Sequence, residues 1–144
     1  MQTVLVVDDE FGVAEVLQSI LEDEGYRVAT AINGKQALLR LGEHAPDVIM
    51  LDYMMPIMDG TQTLAAIRKD AGFKNIPVIM MSSLEEASVR ETCTEYDSFL
   101  RKPFRATAVR PTVRWVYDGA AKHAEKVRSG EKKGLQNRKL ENCD

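Results

Sequence analysis

Short apolar runs alternate with amphipathic stretches along the chain, and most of the apolar runs end on a polar group. Val4 to Val7 is continuous and apolar, the kind of run buried on both faces of a sheet, and it stops at Asp8-Asp9-Glu10. This predicts a first strand. Val13, Val16, Leu17, Ile20 and Leu21 then recur at i, i+3, i+4, i+7 and i+8, one face of a helix, with Gly25 as its stop. Arg27 to Ala31 predicts a second strand, Asn33-Gly34 a turn, and Ala37, Leu38 and Leu41 a second helix ending near Gly42. Val48 to Leu51 repeats the first strand's character and ends at Asp52, and Pro56 and Gly60 make the stretch after it a loop. Leu64, Ile67 and Arg68 belong to a third helix, Ile76 to Met81 to a fourth strand closed by Ser82, Leu84 to Glu95 to a fourth helix, and Phe99-Leu100 to a brief fifth strand before Lys102. The repeated β-α order predicts an α/β fold with a parallel sheet and right-handed crossovers.

In such a sheet the polar ends of neighbouring strands converge on one edge. Asp8, Asp9, Asp52, Ser82 and Lys102 therefore form one candidate site. Three carboxylates gathered there disfavour one another's ionisation unless a cation shares the space, so the constellation implies a bound metal beside the lysine.

Composition narrows the class. A chain of 144 residues, 44% apolar, fits one packed domain with appendages. No apolar run approaches the roughly 20 residues that span a bilayer, and Met1-Gln2-Thr3 enters the first strand with no basic leader, so the expectation is a soluble, unexported, cytoplasmic protein with no membrane partner. Cys93 and Cys143 have neither metal-ligand nor redox spacing and are read as reduced thiols. Residues 1–104 hold 9 Lys and Arg against 17 Asp and Glu, a net of −8, whereas residues 105–144 hold 10 against 5, a net of +5. An acidic body thus carries a basic tail.

Val-Leu-Val-Val-Asp8-Asp9-Glu10, Asp47-Val-Ile-Met-Leu-Asp52 with Met-Met-Pro56-Ile-Met-Asp59-Gly60 behind it, Met-Ser82-Ser83 and Lys102-Pro103-Phe104 are each weak signals, but their order is specific. Over roughly residues 2–118 the chain resembles the receiver domains of two-component response regulators. The resemblance implies a flavodoxin-like, doubly wound five-stranded parallel sheet of order 2-1-3-4-5. It also implies Asp52 as phosphoacceptor, and Mg²⁺ held directly by Asp9, through water by Asp8, and with Asp52 and the backbone carbonyl of Met54 in the same metal set. Ser82 and Lys102 would bind the phosphoryl oxygens, and Ser82 and Phe99 would form the switch. Phe99 lacks a hydroxyl, so its inward state would be decided by packing alone. Elementary chemistry points the same way: a carboxylate attacks an anionic phosphoryl group only where a cation and fixed donors offset the approaching charge. The implied partners are a sensor histidine kinase or histidine phosphotransfer protein and a downstream protein target, with a phosphorylation-dependent dimer compatible with the pattern.

The sequence departs from that family in two places. Glu95-Tyr96 stands where many receivers carry a Gly-Ala pair, which predicts a remodelled loop with a bulky ring beside the output face of helix 4, strand 5 and helix 5. Pro111 interrupts the helical spacing of Ala106, Val109, Val113 and Val116 and predicts a break or a helix start near Arg110-Pro111. Residues 1–118 are read as the receiver domain and 119–144 as a basic extension, helical at first along Ala120, Ala124 and Val127 and then disordered from Glu131. Trp115 falls off the apolar stripe and is expected to be exposed. The methionines read as core and loop filling, and His44 and His123 as solvent-facing.

Three other classes compete. A DNA-binding regulator could use the basic tail, but the 40 residues after Phe104 are too few for an ordinary helix-turn-helix domain, so nucleic acid is not the expected partner. A flavin carrier needs a Ser/Thr/Gly phosphate loop after the first strand, where this chain has three acids. An aspartyl phosphatase acting on external substrates needs its nucleophile after the first strand and a cap; the expected activity is confined to the chain's own phosphorylation and dephosphorylation. A phosphorylation-independent receiver-like interaction module remains the alternative within the fold.

Overall fold

The computed structural model describes residues 2–128, with side chains described to residue 120. Five strands form one parallel sheet of order β2-β1-β3-β4-β5. They are β1 (Thr3–Val7), β2 (Arg27–Ala31), β3 (Val48–Asp52), β4 (Val78–Ser82) and β5 (Ser98–Arg101), separated by α1 (Phe11–Asp23), α2 (Gly34–Glu43), α3 (Gly60–Lys69) and α4 (Glu86–Arg90) and followed by α5 (Ala106–Arg128). The predicted architecture and strand order are those observed.

Strand alternation divides the core into two layers. Val4, Val6, Val48, Met50, Ile79 and Met81 face Leu17 and Leu21 of α1 and Val109, Val113 and Val116 of α5. Leu5, Val7, Ile49, Leu51, Val78 and Met80 face the other way, onto Ala37 and Leu41 of α2, Leu64 and Ile67 of α3 and Val89 of α4. Both faces of the central strands are thus covered, which is why these strands read as unbroken apolar runs.

Local chemistry sets the ends of the elements. Gly25, at φ +92°, supplies the left-handed residue that closes α1. Asn33 Oδ1 accepts the Gln36 N–H at 2.8 Å to start α2. Asp59 and Gln62 cap α3 reciprocally, each side chain accepting the other residue's backbone N–H.

Three expectations are corrected. The fourth helix, expected over Leu84 to Glu95, is only the five residues of α4. Beyond it the Thr92 and Cys93 amides both turn back to the Val89 carbonyl, and Thr92 Oγ1 donates to the same oxygen at 3.4 Å, a side-chain competition that favours a turn over a continued helix. Tyr96, expected as a ring beside the output face, instead is buried in the core, 6.0 Å from the Phe99 ring centroid. Its hydroxyl donates to Glu86 Oε2 at 2.7 Å.

Pro111 neither breaks nor starts α5, which begins five residues earlier and runs through it. Pro111 and Thr107 are both exposed residues of the helix, a setting in which a carbonyl left without its N–H partner costs little because water can replace it. Trp115 is exposed as expected, at 49%. The disorder expected from Glu131 onward lies outside the described residues, as do Cys143 and the side chains of His123, Ala124 and Val127.

Candidate functional site

Strand register assembles the site. Val7 pairs with Leu51, so Asp8 and Asp52 follow side by side; Asp52 pairs with Met81 and Ser82 with Arg101, which places Ser82 and Lys102 one step further along the same edge. Lys102 is held from behind, its amide donating to the Ser82 carbonyl at 2.8 Å, and is joined to Pro103 by a cis peptide.

Lys102 Nζ reaches Asp8 Oδ2 at 2.7 Å, Asp52 Oδ1 at 3.3 Å and Glu10 Oε1 at 3.4 Å. One ammonium therefore serves three carboxylates. Carboxylate oxygens of Asp8, Asp9, Glu10 and Asp52 all lie within 4.8 Å of one another. Asp8 and Asp52 are 1% and 4% exposed, whereas Asp9 and Glu10 face solvent. Asp8 Oδ1 accepts the Glu10 N–H at 2.9 Å, but Asp8 Oδ2 meets Lys102 as a charge contact outside aligned hydrogen-bond geometry and has no other donor.

The electrostatics follow from this crowding. Burial first, and the Asp8 charge second, push the Asp52 carboxyl up to about 7 against the opposing pull of Lys102. For Lys102, burial works to lower the ammonium, but its contact with Asp8 and the charges of Asp52, Asp8 and Glu10 outweigh it and raise the pKa. The protein alone leaves this edge short of positive charge. A buried carboxylate oxygen met by a charge contact alone, within a set of four clustered carboxylates, is what Mg²⁺ takes as a ligand, so these residues fit that ion.

Two grooves open along this edge, and Asp52 lines the first. One, about 570 Å³, is bounded by Glu10, Val13, Ser82, Lys102 and Phe104. The other, about 580 Å³, is bounded by Asp9, Tyr53, Met54, Asp59 and Leu84. Ser82 Oγ accepts the Leu84 N–H at 3.0 Å, which leaves its own proton available to a ligand. Met54, 64% exposed, stands in the loop leaving Asp52.

Gly60 makes this loop's path feasible. A Cβ there would stand 2.5 Å from the Asp52 carbonyl oxygen and 2.7 Å from Tyr53 Cα. Ile57 in the same loop holds φ +71°, a costly conformation for a β-branched residue, and is 76% exposed.

Of the candidates read from sequence, Asp8, Asp9, Asp52, Ser82, Lys102 and Met54 meet at this edge. Phe99 does not: it pairs with Met80 within the sheet, half-buried against the α2–α4 layer. Sequence reasoning passed over Glu10 as a ligand of Lys102, although its place two residues after Asp8 was the available signal. It also passed over Tyr53, whose hydroxyl is hydrogen-bonded to Thr92 Oγ1.

Residues 4–114 match the family described as the response regulator receiver domain. Protein PilG of Pseudomonas aeruginosa is 37% identical over 103 residues, 70% of this chain and 76% of that protein. Response regulator Rre1 of Synechocystis is 37% identical over 115 residues, covering 78% of this chain and 50% of its own length. The chemotaxis protein CheY4 of Vibrio cholerae superposes with a TM-score of 0.75 at 30% identity, over 81% of this chain and 98% of that one. Among the first curated relatives, several of them called probable transcriptional regulators, the chain spans about half the length of each protein or somewhat less. No helix among the described residues is long and apolar enough to cross a membrane.

Proposed function

The chain belongs to the response regulator receiver domain family of two-component systems, and on that premise we propose that it is a phosphorylation switch whose acceptor is Asp52. One observation carries the reading: Lys102 Nζ stands between buried Asp8 and Asp52, 2.7 and 3.3 Å away, on an edge with more carboxylates than one ammonium can balance. A phosphoryl group docked there meets a nucleophile, a cation and the Ser82 hydroxyl at once.

An Asp52 oxygen attacks phosphorus in line as the bond from phosphorus to the donor's imidazole nitrogen breaks, the electron pair leaving with the nitrogen. Lys102 and Ser82 hold equatorial oxygens of the transferred group. Asp8, Asp9, Asp52 and the Met54 carbonyl would hold Mg²⁺, which supplies charge neutralisation for the approaching anion. Asp52 attacks only as the carboxylate, the form that Lys102 favours and that a divalent ion held beside it would favour further. The donor is a phosphohistidine of a sensor kinase or phosphotransfer protein, and the protein turns over no external substrate. The response is a shift between two populations of the face formed by α4, β5 and α5, in which Ser82 and Phe99 take part, read by a protein target. Residues 1–118 form the receiver unit in this reading.

Incubation with a small acyl phosphate and Mg²⁺ should add one phosphoryl group to the intact mass, and Asp52→Asn should abolish the gain. An unchanged wild-type mass rejects the proposal. A second reading, regulation of transcription, is favoured by the names of several relatives. Retention on DNA that weakens steeply with salt would support it, and no retention at low salt would remove it.

A further inference from the structure

Helix α4 has little to hold it. Its five residues are far below the length at which a helix is stable by itself, and Val89 is its one buried side chain. Polar ties make up the difference. At its start, Glu86 accepts from the Tyr96 hydroxyl at 2.7 Å and pairs with Arg90 at 3.4 Å. Burial and the Glu86 bond push the Tyr96 phenol up to about 12, so it keeps its proton and stays a donor at ordinary pH. Just past the end of α4, Thr92 Oγ1 is hydrogen-bonded to the Tyr53 hydroxyl, and Thr92 is itself bonded back to Val89.

The two tyrosines differ in what lies behind them. Tyr96 sits at the far end of β5, against Phe99. Tyr53 is the residue after Asp52. Its amide donates to the Met81 carbonyl at 2.8 Å, its carbonyl accepts from Gly60 at 2.9 Å, and its ring packs against the α2–α4 layer. The ring therefore spans from the backbone of the acceptor strand to the C-terminal turn of α4. A change in how the Tyr53 backbone is held has a direct route through the ring to the bond with Thr92. A hydroxyl pair is a modest tie, so it can govern only an element as weakly anchored as this one.

We propose that the Tyr53–Thr92 hydrogen bond couples occupancy of the site at Asp52 to the order of α4, making Tyr53 a positioning residue between acceptor and response face. This rests on the reading of Asp52 as the phosphoacceptor.

The test is hydrogen exchange of the segment 86–93, with and without Mg²⁺ and beryllofluoride as the phosphoryl mimic, in wild type, Tyr53→Phe, Thr92→Val and the double variant. Fluorine NMR of the bound mimic reports site occupancy separately. Wild type should change its exchange in this segment severalfold on binding the mimic. Tyr53→Phe should bind the mimic yet lose that response, Thr92→Val should behave alike, and the double variant should be no worse than either. Tyr96→Phe, which cuts the other tie, should speed exchange in both states and keep the difference between them. A full response in Tyr53→Phe, or no response in wild type carrying bound mimic, overturns the coupling. Failure of wild type to bind the mimic at all would instead remove the reading of the site on which it rests.

Discussion

Two half-buried ion clusters lie at opposite edges of the same sheet, and they are built on opposite principles. At the edge where β4 and β5 begin, Arg68 Nη2 pairs with Asp97 Oδ2 at 2.8 Å. Three further guanidinium donors go to the carbonyls of Glu95, Lys74 and Ile76, and the same Asp97 oxygen accepts the Val78 N–H at 2.8 Å. One positive group thus meets one negative group, and backbone dipoles absorb what is left. This node ties the end of α3 to the starts of two strands. At the opposite edge one ammonium meets three of four clustered carboxylates, a buried Asp8 oxygen has that charge contact alone, and a nearby isoleucine holds a left-handed backbone. A closed cluster fixes a fold, whereas one left short of positive charge is suited to taking up a cation and an anion together.

If this contrast is right, Arg68→Ala should produce the largest loss of stability, about 3–4 kcal/mol in chemical denaturation, because it strands a largely buried Asp97 and several carbonyls. Variant molecules that still fold should nevertheless take up phosphoryl groups. Lys102→Met should cost about 2–3 kcal/mol without divalent ions, since Asp8 and Asp52 then face each other uncompensated. Unlike the first loss, much of this one should return on adding Mg²⁺, while phosphoryl uptake falls; equal losses with and without Mg²⁺ would contradict the assignment of the edge.

Asp52→Asn should act in the other direction. The native carboxyl, raised to about 7, keeps a proton that the unfolded chain has already released near its ordinary value of 3.8. That contribution is complete below the unfolded value and is lost as pH rises through about 7, so metal-free wild type should become less stable between these limits. The asparagine variant should lack that slope and be more stable at pH 8 by on the order of 2 kcal/mol. Parallel pH profiles for the two proteins would count against the crowding inferred here. The smallest effect expected is for Ile57→Gly. Relief of the positive φ, partly offset by the freedom glycine gains on unfolding, should stabilise the protein by about 0.5 kcal/mol, measured as a small rise in Tm.

The same contrast explains what could be read without coordinates. The open edge was legible because each of its groups follows a strand whose apolar run is unmistakable, so Asp8, Asp52, Ser82 and Lys102 were placed by counting to the ends of runs. The sheet order came from the resemblance those residues carry. The closed node was not legible: Arg68 looks like any basic residue in the last turn of a helix, and three of its partners are carbonyls, which no side-chain pattern reveals. The extent of α4 was overestimated because Val89 and Cys93 keep helical spacing even though the helix ends at Arg90 and the backbone beyond it turns on the Val89 carbonyl. Tyr96 was misplaced because phenol rings serve surfaces and cores alike, and only the room beside Phe99 decides between them. At Pro111 the proline rule gave way on the exposed side of the helix, where water can replace the missing partner.

Position 60 shows how a reaction centre can be disabled without altering any group that carries charge or moves a proton. The backbone that presents Asp52 and the first turn of α3 run so close that a single methyl would have to displace the acceptor's own carbonyl. A survey of natural variants scored by the chemistry of the side chain lost would rank alanine there as harmless. Steric inspection ranks it beside the loss of a reacting residue.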